Sequence, residues 1–517
     1  MKKWLALLLA CCLLVPFLTA CPGGETPGTG GGGDDTEGEY LDSLGEFDFG
    51  GEEFTVSCFS LFEYEIYAEE GSGEVLDDAI YKRNRKLENR FNVKIVPDVT
   101  VATGVNDLES HYAYVQRCMN SSEGPFDAIA MYAYQSGKLI MTGQYYDWRS
   151  EIPYCSDSIK AGAEWWPEAI NLDSTVNGYQ FVAISDLCIT SMEMCYTVLF
   201  NKNIAEENNV AQGVGVPGTY QTLYEIVDAG AWTYDVMYGI VKDFWQDSAT
   251  GGTQNQRDEE DVYGLVVGGG TDADAWAFAF NYKYLANDGV MTPDLWSWNV
   301  GIVNAISDLR ALYTATGTYK NWGDDYTQRT TFFANDHALF NLTTLLELKT
   351  DIIHTMESLY GVLPYPKRDA NQTAYHTGTL DHYTVLSVPT FVMGEDLERT
   401  GVMIEALSAE TTNSVVEPYY NLIVTHKNTT DAESVRMIEL IMAGRLYDLT
   451  TYHYDDIKFA SAATDNSSYG LFFRYLISTA PAADIASFWE ANRSSLQAQL
   501  DDLIAEYETI VPSGAAF

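Results

Sequence analysis

The stretch Glu53-Phe54-Thr55-Val56-Ser57-Cys58-Phe59 opens the folded part of the chain as a short β-prone run. Apolar side chains then recur at helical spacing from Val75 to Leu87. Asn92 suits the left-handed turn that ends a helix, and Val93-Lys94-Ile95-Val96 returns as a second strand. Strand, helix and strand in this order form a βαβ unit, so we predict an α/β lobe.

The pattern that follows extends this lobe and then changes. A helical stretch around Leu108 to Met119 precedes Pro125 to Met131, a short buried strand pattern bounded by turn residues. Strands that alternate with helices predict a mainly parallel sheet. Two β-rich runs between Tyr179 and Phe200, followed by helix-like segments from residue 219 to 245, predict a crossover to a second lobe.

The first residues predict secretion and a lipid anchor. Two lysines precede an uncharged apolar run from Trp4 to Phe17, and Leu18-Thr19-Ala20-Cys21 follows. This is the pattern of a bacterial lipoprotein signal, which is cut before the cysteine that then carries the lipid. We predict a signal peptide at 1–20 and lipidation of Cys21. The alternative is an ordinary secretory signal with an incidental cysteine.

Residues 21–50 are predicted to hold the lipidated cysteine and a flexible linker. From Pro22 to Glu39 glycine dominates, and no apolar side chain is larger than proline. Such a segment has nothing to bury and does not fold by itself. No later apolar run approaches the ~20 residues of a membrane span, so the lipid alone is expected to hold the protein to the membrane.

The chain is strongly acidic, with 29 Lys and Arg against 74 Asp and Glu and a net charge of −45. Nucleic acid is not expected as a partner, because phosphate backbones need basic side chains to displace their counterions. A neutral or cationic ligand fits the charge better. The simpler interpretation is that acidity keeps an exposed extracellular protein soluble.

Five cysteines follow Cys21, namely Cys58, Cys118, Cys155, Cys188 and Cys195. An odd number cannot pair completely within one chain, and no Cys/His spacing typical of zinc occurs. We expect these side chains to act mainly as small buried hydrophobic groups, with a Cys188–Cys195 bridge left open. No cofactor and no bound metal are predicted.

A series of family-like segments occurs in one order over nearly the whole chain behind the leader. They are Tyr196–Lys202 with the following NIAEEN, Tyr224–Phe244, Asp261–Gly269, Phe332–Phe340, Tyr360–Asp369, Asp396–Glu410 and Glu433–Leu449. Together with the lipoprotein signal, they resemble the extracellular solute-binding proteins of bacterial ABC importers, in the type 1, sugar-binding group. The resemblance is greatest to the long, acidic forms from clostridia-like bacteria.

The resemblance implies a periplasmic-binding-protein-like fold, with two α/β lobes joined by hinge strands around a ligand cleft. The first lobe would comprise 51–185 and 380–412, and the second would comprise 190–377 and 415–517. The crossings between the lobes would then lie near Ser185–Phe200, near Leu380–Pro389 and after Ala409.

The resemblance also implies a function. A receptor of this kind captures a carbohydrate, here expected to be an oligosaccharide, and delivers it unchanged to the permease of an ABC transporter. The protein would be a lipid-anchored monomer on the extracellular face of the bacterial cell membrane. The sequence names neither the sugar nor the permease.

Candidate ligand contacts follow two predicted strands. Sugar clefts combine aromatic rings, which cover C–H faces, with carboxylates and amides that pair with hydroxyls. Tyr132 and Tyr134 follow the strand that ends at Met131, at the edge where α/β sheets bind ligands. After the strand Val262–Val267, a glycine-rich loop brings two carboxylates and an indole. These are Asp272, Asp274 and Trp276.

Further candidates lie in other loops. Asn371, Tyr375 and His376 precede the proposed return to the first lobe, and Trp232 is a secondary candidate. Three tryptophans could extend the surface for an oligosaccharide, namely Trp296, Trp298 and Trp322. For any single aromatic side chain, core packing is the competing interpretation.

Two other classes of protein stay open. An extracellular glycoside hydrolase needs only two carboxylates beside a cleft, although no nucleophile elbow, zinc helix or P-loop motif occurs in the sequence. A polysaccharide-docking surface lipoprotein would never hand its ligand to a permease. A metal site at His376, Asp381 and His382 and a calcium loop at Asp247–Asp261 are the competing metal hypotheses.

Overall fold

The computed structural model describes residues 36–101, 108–248, 256–287, 294–295, 299–321, 323, 325–423, 425–426, 429–460 and 468–510. The chain forms two units, Met1–Gly45 and Glu46–Phe517. The first contributes the helix Thr36–Ser43, and every other element belongs to the second. The predicted signal peptide and the predicted lipidation site Cys21 lie outside the described residues.

Strands form two main sheets and two small ribbons. In chain order they are β1 (Glu52–Phe59), β2 (Val93–Thr100), β3 (Ala128–Tyr132), β4 (Tyr196–Asn201), β5 (Trp245–Gln246), β6 (Val262–Val267), β7 (Leu285–Ala286), β8 (Asp294–Leu295), β9 (Thr318–Lys320), β10 (Ala338–Thr344), β11 (Tyr360–Leu363), β12 (Thr384–Ser387), β13 (Thr425–His426) and β14 (Thr429–Thr430). The pairs β7–β8 and β13–β14 are the ribbons.

The first sheet has the order β12-β3-β1-β2. Strand β1 is parallel to both β2 and β3, and β12 is antiparallel to β3. The second sheet has the order β11-β4-β10-β6-β5, with β9 paired to β6. Strands β6, β9 and β10 run parallel in it. The predicted α/β class and the predicted opening strand-helix-strand unit are confirmed.

Helices cover both sheets. In the second unit they are Val75–Phe91, Leu108–Ser121, Ala133–Ile140, Cys155–Ala161, Glu168–Asp173, Ile189–Glu193, Lys202–Glu207, Leu223–Asp228, Tyr234–Val241, Thr271–Ala279, Val300–Tyr313, Tyr326–Ala334, Asp351–His354, Glu395–Ser414, Val416–Ile423, Ala432–Ala443, Leu449–Tyr452, Phe472–Arg474 and Ile485–Ile510. We use first lobe and second lobe for the elements that surround the first and the second sheet.

The helix Val75–Phe91 shows how the sequence positions the first lobe. Its buried face carries apolar residues at helical spacing, and Asn92 ends it in the left-handed conformation, with φ 47° and ψ 55°. The buried Arg83 donates to Thr411 Oγ1 at 2.9 Å and to the backbone oxygen of Glu65 at 2.9 Å. These bonds fix the segment that follows β1 against the helix Glu395–Ser414.

Two segments cross between the sheets side by side. Isolated antiparallel bridges join Ala183 to Leu386 and Cys195 to Thr379. Between them, the backbone N–H of Leu380 donates to the Met194 oxygen at 2.9 Å. We call residues 183–195 and 379–386 the hinge segments.

The tail of the chain packs on both lobes. The helix Val416–Ile423 contacts the first-lobe helix Val75–Phe91 and also the turn Leu345–Lys349 of the second lobe. The ring of Tyr507, near the end of the last helix, lies 6.0 Å from that of Phe181. Described residues of the segment 415–517, for which we predicted a place in the second lobe, therefore contact elements of both lobes.

The cysteines Cys58, Cys118, Cys155, Cys188 and Cys195 are all free. The Cys188–Cys195 bridge that the sequence left open is not formed, and both side chains are buried. Within the described ranges, no helix is long and apolar enough to cross a bilayer.

Candidate functional site

A cavity of about 610 Å³ lies between the two lobes. Its lining comes from the segment after β1, from both hinge segments, and from the ends of β6 and β10. The lining residues are Leu61, Phe62, Tyr64, Glu193, Met194, Thr271, Tyr326, Thr344, Leu346, Glu347, Lys349, Leu380, Asp381, His382, Tyr454, Leu471 and Arg474. Open α/β sheets bind ligands at such strand ends, and the volume falls within the ~300–1,000 Å³ of small-molecule pockets. We call this cavity the interlobe cleft.

Three side chains join the lobes at the floor of the cleft. Glu193, in the first hinge segment, has a fully buried side chain, and Lys349 of the second lobe donates to its Oε1 at 2.6 Å. The hydroxyl of Tyr64, from the first lobe, donates to Glu193 Oε2. Burial and the Glu193 charge raise the pKa of Tyr64, so its hydroxyl stays protonated as a donor. We call these residues the Glu193 cluster.

The second cation of the cleft is also paired. Arg474 Nε donates to Asp274 at 3.1 Å and 3.0 Å to the two carboxylate oxygens. Both residues line a smaller cavity of about 40 Å³ that shares Leu380, Asp381, Tyr454, Leu471 and Arg474 with the cleft. The bidentate pair fixes the planar guanidinium beside the cleft wall.

Asp381, in the second hinge segment, lines both cavities. Its side chain is 27% exposed, and its Oδ1 lies 3.5 Å from His382 Nε2. Burial raises the pKa of Tyr134 to about 12, with a further contribution from the Asp381 charge. The carboxylate therefore lies where the two cavities meet.

The second-lobe wall is built around a buried arginine. The guanidinium of Arg329 lies 4.2 Å from the ring centre of Tyr326 and 3.4 Å from Asp272 Oδ1. Tyr326 is half-buried, and its hydroxyl bonds to that of Thr271. On the same wall the hydroxyl of Thr330 donates to Glu347 at 2.8 Å. Burial raises the pKa of Glu347.

Aromatic rings lie at and behind the first-lobe side, where Phe62 and Tyr454 line the cleft. Phe62 stacks on Tyr132 with ring centres 5.5 Å apart and an interplanar angle of 28°. Tyr132 also lies 5.3 Å from the His382 ring. Tyr134 meets Tyr454 edge to face at 6.0 Å. Rings of this kind give a pyranose apolar faces to cover.

Three of the sequence candidates lie at or directly behind the cleft. Asp274 lines the smaller cavity and holds Arg474. Tyr132 is 2% exposed and forms a second layer behind Phe62 and His382. Tyr134 is half-buried beside Tyr454.

Trp276 and Trp232 lie in the core of the second lobe, in place of the predicted ligand contacts. Both are fully buried. Trp276 Nε1 donates to the Tyr313 hydroxyl at 3.2 Å, and its ring meets that of Tyr365 edge to face at 5.0 Å. Trp232 Nε1 donates to the Pro364 oxygen at 2.9 Å. Their polar atoms are satisfied by the lobe itself.

Asp272 holds the loop that was predicted to bind ligand. Its fully buried carboxylate accepts from the backbone N–H groups of Gly269 at 2.9 Å and Gly270 at 3.1 Å, and from the Tyr313 hydroxyl at 2.7 Å. With the Arg329 ion pair added, this side chain is a structural anchor rather than a cleft-lining group.

The predicted loop residues Asn371, Tyr375 and His376 are not among those that line the cleft. Asn371 is exposed. Tyr375 is buried, and its hydroxyl donates to the Val227 oxygen at 3.0 Å. His376 is half-buried, and burial lowers its pKa. Trp296, Trp298 and Trp322 lie outside the described residues, as do residues 249–255 of the loop Asp247–Asp261.

Sequence reasoning missed much of the cleft. Glu193, Tyr326, Glu347, Lys349 and Arg474 were not named, although Glu347 and Lys349 directly follow β10, where a strand-end rule would have found them. In the part of the chain that the structure describes, no group of three His, Cys, Asp or Glu side chains is arranged to hold a metal ion.

A second cavity, of about 350 Å³, lies on the second lobe alone, around the end of β4. Its aromatic residues, Phe200 and Tyr224, are 4% and 5% exposed. Because one lobe forms it and its rings are covered, we take the interlobe cleft as the candidate site.

No protein-family model matches the chain, and no curated protein matches it. Among solved structures it is similar to the ABC substrate-binding protein Lmo0181 from Listeria monocytogenes in complex with cycloalternan. That match has 12% identity and a TM-score of 0.48, over 89% of this chain and 99% of that one. RafE from Streptococcus pneumoniae in its apo form matches with 14% identity and a TM-score of 0.47, over 89% and 98%.

The sugar transporter RHE_PF00321 from Rhizobium etli, in an open conformation, matches with 11% identity and a TM-score of 0.48, over 89% of this chain and 100% of that one.

Proposed function

We propose that the protein is an extracellular receptor that binds an oligosaccharide in the interlobe cleft and delivers it unchanged to an ABC permease. The observation that carries this proposal is the lining of the cleft. It combines half-buried phenol rings at Tyr64, Tyr326 and Tyr454 with carboxylates at Asp381 and Glu347. Aromatic faces beside carboxylates are the surfaces that sugars use.

Position in the fold supports capture by closure. The cleft draws its lining from both lobes and from the hinge segments between them, so a bound ligand would contact all three. A ligand that contacts both lobes stabilises the closed arrangement, which a permease can then recognise. Lipid attachment at Cys21 and a monomeric state complete the proposal, and mass spectrometry of the membrane-extracted chain tests the lipid.

The direct test of binding is a thermal-shift screen of the purified protein with mono- and oligosaccharides, amino acids, peptides and polyamines. Saturation at a hundredfold over Kd adds about 2.7 kcal/mol of stability, which raises the melting temperature measurably. We expect a selective shift with an oligosaccharide that is recovered chemically intact. Cleavage of the sugar would instead support a glycoside hydrolase. If no saccharide shifts the melting temperature, the receptor proposal is wrong.

A further inference from the structure

We propose that the interlobe cleft selects its saccharide by charge, accepting neutral and amine-bearing sugars and rejecting those that carry a carboxylate or phosphate, with Asp381 as the specificity-determining residue. This inference rests on the proposed receptor function and extends it to the class of sugar. Its basis is the pairing of the charged side chains around the cleft.

The cations that line the described part of the cleft are already neutralised. Lys349 Nζ lies 2.6 Å from Glu193 Oε1, and Arg474 binds both oxygens of Asp274. Arg329, a buried cation behind the second-lobe wall, lies 3.4 Å from Asp272. An anionic group on a ligand would therefore meet each of these cations beside a carboxylate that already offsets the positive charge and repels a second anion.

The carboxylates are in excess. Glu347 lines the cleft with a hydroxyl, that of Thr330, as its hydrogen-bond donor. Asp381 lines both cavities, and its Oδ1 lies 3.5 Å from Nε2 of His382. Ligand hydroxyls or a protonated amine can donate to these oxygens, whereas a ligand carboxylate has no proton to offer and adds repulsion.

The surroundings of Asp381 favour a positive group further. The ring of His382, the residue that follows Asp381, lies 5.3 Å from that of Tyr132, and Tyr454 lines the same two cavities as Asp381. An aromatic ring in the same lining adds the attraction of its quadrupole to that of the carboxylate for an ammonium group. The chain's net charge of −45 adds a field that repels anions on approach.

The test uses paired probes in which one functional group is changed so that the charge differs. Maltotriose, cellotriose and raffinose are each compared with the derivative whose primary alcohols are oxidised to carboxylates, and glucosamine trimer is compared with its N-acetylated form. Affinities are measured by titration calorimetry for the wild type, Asp381→Asn and the control Glu207→Gln. Glu207 is exposed at the end of the helix Lys202–Glu207, outside the cleft lining.

We expect the wild type and Glu207→Gln to bind the neutral form at least ~10-fold more tightly than the oxidised form, as one unscreened like-charge contact implies. Asp381→Asn should bring the affinities for the neutral and the oxidised sugar closer together. It should also weaken binding of the glucosamine trimer. Equal or tighter binding of the oxidised sugar by the wild type, or an unchanged ratio in Asp381→Asn, would overturn the inference while leaving the receptor function standing.

Two safeguards keep the outcome interpretable. If Asp381→Asn lowers stability, the ratio of two affinities within one variant still reports charge selection, and Glu347→Gln gives an independent second variant. If no saccharide of any charge binds the wild type, the proposed receptor function is wrong. That result differs from one in which sugars bind without charge selection.

Discussion

Replacing Lys349 by methionine tests whether the Glu193 cluster holds the two lobes together. Methionine keeps much of the aliphatic length of lysine but removes the ammonium that lies 2.6 Å from Glu193 Oε1. The carboxylate of Glu193, whose side chain is 0% exposed, then keeps the Tyr64 hydroxyl but loses its charge partner.

The expected cost follows from the burial of the two partners. Removing one member of a fully buried ion pair costs ~3–5 kcal/mol, whereas an exposed pair contributes ~0–1 kcal/mol. The Lys349 side chain is 25% exposed, which places this pair between the two limits. We therefore expect Lys349→Met to lower the free energy of unfolding by about 2 kcal/mol.

The assay is urea unfolding followed by tryptophan fluorescence, in a double-mutant cycle with Glu193→Gln. The variant with both substitutions has neither the lysine nor the glutamate charge, so no buried charge lacks its partner. It should therefore be more stable by ~1–2 kcal/mol than the sum of the two single effects predicts. Lys86→Met is a matched control, since it removes an ion pair to the nearly buried Glu410 within the first lobe.

Two results would refute this reasoning. One is a loss below ~0.5 kcal/mol in Lys349→Met, the size of an ordinary surface substitution. The other is strict additivity of the two single variants, which would show that the residues do not interact energetically.

Three further predictions address the core, the loop after β6 and the pH dependence. Trp276→Ala should lower the free energy of unfolding in urea by ~3–5 kcal/mol, as for other buried aromatic side chains. Near-normal stability combined with loss of sugar binding would show instead that Trp276 contacts the ligand. Gly268→Ala should cost ~1–3 kcal/mol, because its Cβ would lie 1.8 Å from the Gly323 oxygen; a wild-type melting temperature would contradict this. Burial raises the pKa of Glu65 to about 7, so the folded state holds a proton that the unfolded state releases near pH 4.3. Stability should therefore fall as pH rises from about 4.3 to about 7, and Glu65→Gln should flatten that slope in unfolding measured across the window. An equal slope in both proteins would contradict the assignment.

The fold follows from local patterns to a large extent. The apolar run 262–267 became β6 with the predicted bounds, and Asn92 ends its helix in the left-handed conformation that asparagine tolerates. These features depend on residues close in sequence. The packing of the helix Val416–Ile423 on both lobes depends instead on tertiary contacts, which no local pattern reports.

The site was predicted less well, for two physical reasons. After β6 the chain forms the helix Thr271–Ala279, of which every residue from Asp272 onward is buried, so Thr271 lines the cleft while Trp276 turns into the lobe. Distant segments supply the other contacts. Arg474, for example, pairs with Asp274 although the two residues are 200 positions apart in the sequence. No sequence motif indicates that contact.

The measurement that tests the central claim most directly is titration calorimetry of the neutral oligosaccharide that gives the largest thermal shift, against the wild type and Tyr326→Ala. If the sugar lies in the interlobe cleft, removal of this ring should weaken binding ~2–10-fold, the value of one aromatic contact. The melting temperature without ligand is measured in parallel, because the ring also covers the buried Arg329 guanidinium. Unchanged affinity in Tyr326→Ala, or the absence of any binding saccharide, would contradict the account.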